Sequence, residues 1–344
     1  MASEEVQPTL TKQPKDVLVQ CKEMLDKGER RQALVQLEAL TLVLTNNHLL
    51  KKELALAYVL KAETHLNLSE FTKAQDSCNK AMIISRELKD VSIEASSLRI
   101  LGNMCWKRGE LQTALEDLIR ALQLAVEIKD PALEGTIRVD KATVLGHMGD
   151  IGASERDFRE AMLLLEKAGD LRELARAYNN LANTIMNTKN WERAAQMFAK
   201  SKKLCEKLGD APSAAFAGLN LAECLIEMGQ WKNAIEELDI IYPVIEKAGD
   251  TYALLAVTHT YGLAHAKAKE WPKAEEYMIK ARRLSQKASI PMAEAKVIAD
   301  IGRMFKWRGD KEKAQLYLKE AIEIYSRMGA KREVQGLLDE IKER

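Results

Sequence analysis

A small residue returns every forty positions along this 344-residue chain. The column reads Ala74, Ala114, Ser154, Ala194, Ala234, Ala274 and Ala314, and seven places on runs a second: Ala81, Ala121, Ala161, Ser201, Ile241, Ala281, Ala321. Acidic residues hold the unit boundaries at Asp90, Asp130, Asp170, Asp210 and Asp250. A period this strict means stacked, similar units, each burying its apolar face against its neighbours. Such a stack offers extended surface rather than one enclosed pocket, which points to binding before catalysis.

Within one period the pattern predicts two amphipathic helices. In residues 91–130 the first packs through Leu98, Leu101, Gly102 and Cys105, spaced three and four apart. The second packs through Leu111, Ala114, Leu115, Leu118, Ala121 and Leu122. Gly109 supplies the turn between them, as Gly149, Gly229 and Gly309 do in their units, because a left-handed backbone costs glycine little. Asp130 then opens the next helix as its cap, and Pro131, Pro212 and Pro291 stand where a first-turn proline is tolerated.

Composition narrows the function classes. The net charge of +1 supplies no field to draw the chain to nucleic acid or anionic lipid. No apolar run approaches a membrane span, and MASEEVQPTLTKQP has none of the features of a secretory leader, so a cytoplasmic protein is expected. Cys21, Cys78, Cys105, Cys205 and Cys224 are odd in number and form no metal-binding spacing. They read as small buried residues in a reducing compartment. The five histidines pair with no serine or cysteine at useful spacing; His65 and His265 fall in the packing slot of Cys105 and Phe305 and read as core histidines. There is no phosphate loop, dinucleotide fingerprint or zinc-protease motif. The expectation is therefore no enzyme, no cofactor and no metal.

Leu101-Gly102, Gly109, Ala114 and Ala121 resemble the tetratricopeptide (TPR) signature. The same slots recur as Leu181-Ala182, Trp191 and Ala194, as Leu221-Ala222, Gly229, Trp231 and Ala234, and as Tyr261-Gly262, Trp271, Ala274 and Ala281. The forty-residue period is similar to the longer-helix subtype that includes Leu-Gly-Asn polarity adaptors, kinesin light chains and bacterial peptide-sensing regulators; Leu101-Gly102-Asn103 is that tripeptide. The resemblance implies an all-α, right-handed α-α superhelical solenoid of about seven to eight TPR helix pairs plus a C-terminal capping helix. The expected segments are a disordered tail over 1–14, a degenerate helix pair over 15–47, and repeats over 48–90, 91–130, 131–170, 171–210, 211–250, 251–290 and 291–330. A capping helix follows over 331–344, with Val334, Leu337, Leu338 and Ile341 on its apolar side. Lys61, Lys141 and Lys311 depart from the pattern by placing lysine where a bulky apolar residue is expected.

In TPR arrays the first-helix face beside the packing stripe lines the concave wall, so a binding site is expected there. Over 171–190 that stripe is Arg176, Asn180, Asn183 and Asn187, with Asn179 alongside. Asparagine disfavours a helix interior by roughly 0.6 kcal/mol relative to alanine. Its amide offers both donor and acceptor, as holding a peptide backbone requires. Arg99, Asn103 and Asn220 continue the same phase, giving Arg99, Asn103, Arg176, Asn179, Asn180, Asn183, Asn187 and Asn220 as candidate peptide-binding residues. Cochaperone arrays clamp a C-terminal carboxylate on this face, but here Asp140 stands where such a clamp has asparagine, and a carboxylate placed there would meet like charge. The function expected is a non-catalytic scaffold or adaptor holding an extended peptide segment of a protein partner, with neither nucleic acid nor membrane as ligand. The alternative is a peptide-responsive regulatory subunit of an enzyme or transcription factor.

Overall fold

Paired helices account for nearly all of the chain. The computed structural model describes residues 12–342. The expected tail lies, up to residue 11, outside the described residues, and the first helix begins at Pro14. The pairs are α1 (Pro14–Asp26) with α2 (Arg30–Leu44), α3 (Lys51–Asn67) with α4 (Phe71–Leu88), α5 (Val91–Lys107) with α6 (Leu111–Glu127), and α7 (Pro131–His147) with α8 (Ile151–Ala168). Next in chain order come α9 (Leu171–Met186) and α10 (Trp191–Lys207), and the pairs resume as α11 (Ala211–Glu227) with α12 (Trp231–Ala248), α13 (Thr251–Lys267) with α14 (Trp271–Lys287), and α15 (Pro291–Arg308) with α16 (Lys311–Arg327). A last helix, α17, spans Lys331–Lys342. The fold is an all-α repeat solenoid, and no strand occurs among the described residues.

The chain divides into two compact units, one up to Thr184 and one from Ile185. Inside each unit the second helix of a pair packs on its own first helix and on the next one. First helices also touch one another, α3 with α5 and α5 with α7 in the earlier unit, α11 with α13 and α13 with α15 in the later. First helices therefore share a face, which is where a ladder of side chains can run from repeat to repeat.

The helix ends follow the local rules. Asp90, Asp130, Asp150, Asp170, Asp210, Asp250 and Asp310 each accept a backbone N–H two or three residues on. At most turns between helices one residue takes a left-handed φ, as Gly109 does at 81° and Gly309 at 93°. Where glycine is missing, lysine or serine adopts the same conformation, at Ser69, Lys89, Lys129, Lys189, Lys269 and Ser289.

The two columns of small residues mark where helices meet closely. Ala74, Ala81, Ala114, Ala121, Ala161, Ala194, Ala234, Ala274, Ala281 and Ala321 are fully buried. One cluster joins Leu98 and Cys105 of α5, Ala114, Leu118, Ala121 and Ala125 of α6, and Ile137 and Val144 of α7, so each pair is closed by the pair that follows. Burying a side chain such as Leu118 stabilises by roughly 2 kcal/mol. The facing first-helix slot must be small. A Cβ at Gly102 would sit 2.8 Å from Leu118 Cγ, at Gly302 2.8 Å from Leu318 Cγ, and at Gly262 2.8 Å from Met278 Cγ.

All five cysteines are buried and free. His65 and His265 are buried, each accepting its place through a contact from Nδ1 to the carboxylate five residues on, Glu70 at 2.6 Å and Glu270 at 2.9 Å. On α17, Leu337 is buried and Val334 and Ile341 pack partly against α16, whereas Leu338, expected on the apolar side, is 38% exposed. A twelve-residue helix covering one flank of a pair has room for a narrow stripe only.

Gly102→Ala is expected to destabilise the protein by about 1–3 kcal/mol, because the new methyl meets both Leu118 and the Ala114 carbonyl. Gly336→Ala, on α17 with open space around its Cα, should instead stabilise by about 0.5–1 kcal/mol. Urea unfolding of the two variants measures both; equal effects would mean that close approach does not govern the Gly102 slot.

Candidate first-helix binding face

The centre of the earlier unit's first-helix face is a buried carboxylate. Asp140 on α7 is 3% exposed and uses both oxygens. Oδ2 accepts from Asn103 Nδ2 at 2.7 Å and Arg99 Nη1 at 3.2 Å, both on α5. Oδ1 accepts from Arg176 Nη1 on α9 at 2.5 Å. The arginines are held from their far sides too, Arg99 by Glu63 on α3 at 3.1 Å and Arg176 by Glu173 at 2.6 Å. One chain of charges thus crosses α3, α5, α7 and α9.

The contacts obey the forty-residue period. A side chain at the slot of Asn103 meets the slot of Asp140 on the next first helix, thirty-seven residues on. Asn103 reaches Asp140, Asn180 Nδ2 donates to Thr143 Oγ1 at 3.1 Å, and in the later unit Arg303 Nε donates to Glu340 Oε2 at 3.0 Å. The slot of Arg99 meets the same place forty-one residues on. Arg99 pairs with Asp140, and His259 Nε2 lies 2.9 Å from Asp300 Oδ2. Asp140, Asp300 and Glu340 share one slot, as their numbers show. Asp300 is buried like Asp140 and takes Arg303 Nη1 at 2.7 Å on its other oxygen.

The structure thus brings Arg99, Asn103 and Arg176 together around Asp140 and places Asn180 on the next rung. Asn179 Nδ2 donates to Asn180 Oδ1 at 3.3 Å, while its own Oδ1 is buried with no partner. Asn183 is exposed on the same helix. Asn187 follows the last residue of α9, in the turn before α10, rather than on the helical stripe. It belongs with Asn220, half-buried on α11, to the later unit. Asp140, Glu63 and Glu173 carry the arrangement, and their role was hidden in the sequence because acidic residues elsewhere on helices are solvated. The available signal was the recurrence of an acid at 140, 300 and 340 in one slot of the period.

Lys141, the departure from the apolar pattern, has a local explanation. Its ammonium pairs with Asp157 at 3.0 Å, and Arg138 pairs with Asp157 and with Glu160. These residues line a shallow crevice of about 420 Å3 between α6, α7 and α8, away from the stripe of amides. Their charges are matched to one another.

Comparison with known proteins agrees with this architecture. The tetratricopeptide repeat family model matches residues 173–239. No curated protein matches the chain by sequence. Among solved structures, the apo form of RapI is similar over 96% of each chain, at TM-score 0.68 and 16% identity. A Rap protein complexed with Competence and Sporulation Factor is similar over 96% of each chain, at TM-score 0.62 and 14% identity. The Rap conjugation gene regulator of the plasmid pLS20, in complex with the Phr* peptide, is similar over 93% of this chain and 97% of its own, at TM-score 0.58 and 13% identity. At these identities the likeness is one of fold.

The electrostatics of the Asp140 cluster have a measurable consequence. Burial pushes the Asp140 carboxyl up, but Arg176 and Arg99, with the Asn103 hydrogen bond, more than offset it and hold the group below the ordinary carboxylate range. A carboxylate depressed in the folded state contributes stability above its unfolded value of about 3.9 and loses it as pH falls through the folded value. Asp140→Asn is expected to destabilise the protein by about 3 kcal/mol at pH 7, since it leaves two partly buried guanidinium groups short of a counter-charge. The difference between wild type and variant should shrink below pH 4, as read by urea unfolding across pH; a constant difference would show that Asp140 acts through shape alone.

Proposed function

We propose that this tetratricopeptide-repeat chain is a non-catalytic scaffold whose first-helix faces hold extended peptide segments of a protein partner. The fold is one used for protein interaction. The observation that carries the reading is the set of amides on α9. Asn179 keeps a buried carbonyl oxygen without a donor, and Asn183 stands exposed beside it on the same face. A native structure seldom leaves a buried acceptor unmatched, because the unmade bond costs about 1–3 kcal/mol. An extended backbone, with an N–H and a C=O at every residue, supplies what such amides lack.

The charge pattern limits which residues can act as ligand groups. Arg99, Asn103 and Arg176 are committed to Asp140, so they are proposed to shape and brace the face, with Arg176, one-third exposed, at its margin. Asn179, Asn180 and Asn183 are the proposed direct contacts of the earlier unit, and Asn187 and Asn220 those of the later one. A solved structure of this fold holds a peptide, which makes peptide the ligand class to test first. Regulation of an enzyme or transcription factor by such a peptide would use the same face.

The test is panning of a random dodecapeptide phage library on the purified protein, followed by binding of the selected synthetic peptides to wild type and to Asn179→Ala/Asn183→Ala. Selected peptides are expected to lose about tenfold in affinity for the variant, equivalent to about 1.4 kcal/mol. The variant should be no less stable than wild type, since it removes an unmatched acceptor and two poor helix formers. Peptides that bind both forms equally would sink the assignment of the α9 amides.

A further inference from the structure

The ladder between first helices has a rung that the protein leaves open. The slots of Asn103 and Asp140 correspond on α11 and α13 to Glu223 and Thr260. Thr260 Oγ1 turns away and donates to Ala256 O of its own helix at 3.0 Å. Glu223 has neither a hydrogen bond nor an ion pair among the described residues, although it is half-buried. Its oxygens still keep an opening to solvent, for they are not among the sealed unpaired atoms.

Most cations around this rung are engaged elsewhere. His259 on α13 is engaged by Asp300, and Arg303 on α15 is shared between Asp300 and Glu340. Lys267 lies over the Trp307 ring, 4.0 Å from its centroid. Lys296 on α15 is exposed and attracts Glu223 from beyond ion-pair distance, while Glu227, one turn further along α11, repels it. Burial pushes the Glu223 carboxyl above the ordinary range despite Lys296 and His259. Elsewhere on these faces a buried acid is matched by cations of the protein itself, as Asp140 and Asp300 are.

The same strip of α11 carries Phe216 and Asn220, seven and three residues before Glu223, and Phe216 is 53% exposed. An exposed aromatic ring, an amide and an unpaired carboxylate follow one another along two turns of one helix face.

We infer that Glu223 is the anchor at which the bound segment inserts a cationic side chain, a lysine or arginine, with an apolar residue of the same segment lying against Phe216. This rests on the reading that first-helix faces take extended peptides, and it adds the chemistry that the later unit selects. The carboxylate then gains in the complex the charge-assisted bonds that Asp140 and Asp300 have within the protein.

The experiment pans the same dodecapeptide library, displayed with a free N-terminus, on wild type and measures the selected peptides against Glu223→Gln and Phe216→Ala. Expected are sequences carrying lysine or arginine at an internal position, with affinity at least tenfold weaker for Glu223→Gln and weakened for Phe216→Ala. Glu223→Gln should unfold at the same temperature as wild type or higher, because no protein partner is lost; a lower Tm would make Glu223 a structural residue and overturn the inference. Peptides that respond to Phe216→Ala but not to Glu223→Gln, or that lack a cationic residue, would overturn it while leaving the first-helix reading standing. A cation confined to the first residue and abolished by N-acetylation would assign the site to a chain terminus and overturn the side-chain assignment. Peptides indifferent to both variants and to the α9 amide variant, or no enrichment at all, would overturn both readings.

Discussion

Everything in this protein depends on how closely two helices approach at one small residue. Gly102 lies against Leu118, Gly302 against Leu318 and Gly262 against Met278, each with no room for a methyl group in between. That contact sets the spacing within a pair. The buried alanines at the slots of Ala114 and Ala121 then let the following first helix settle on the second, as in the cluster of α5, α6 and α7. Because each interface repeats the last, stability accumulates from nearest neighbours rather than from one central core.

Apolar packing tells helices to stack but says little about how the first helices register along their shared face. The polar ladder supplies that. Asp140 joins three helices with both of its oxygens, and Asp300 joins two with His259 and Arg303 on opposite sides. Buried charges of this kind are poor sources of stability but strongly disfavour a shifted register, in which each would stand unmatched. The closing contact is Glu340 of α17 on Arg303, so the last helix continues the ladder as the first helix of a further pair would.

The same economy separates structure from function along this face. Arg99, Asn103 and Arg176 look like ligand groups in the sequence, yet each is engaged with Asp140, although Arg99 keeps its buried Nε without an acceptor. Among the groups left over are an amide oxygen on α9, an exposed amide next to it, and one carboxylate on α11. Unmatched groups within a matched network are where a ligand adds most.

The forty-residue period, its alternating helices, the aspartate caps and the left-handed turns were legible in the sequence because each follows from local rules acting within a few residues. The family resemblance and the burial of His65 and His265 followed from the same period. The partnership of Arg99 and Arg176 with Asp140 was not legible, because it joins residues thirty-six and forty-one positions apart, and an isolated helix shows both charges as solvated. Nor could the sequence place Asn187 beyond the end of α9, since the helix stops where a backbone turn, not a side-chain pattern, ends it. The sequence by itself determined that helices pair and stack. Only the tertiary structure decided which polar groups meet, because a charge finds its partner in space only after the apolar columns have brought the helices together.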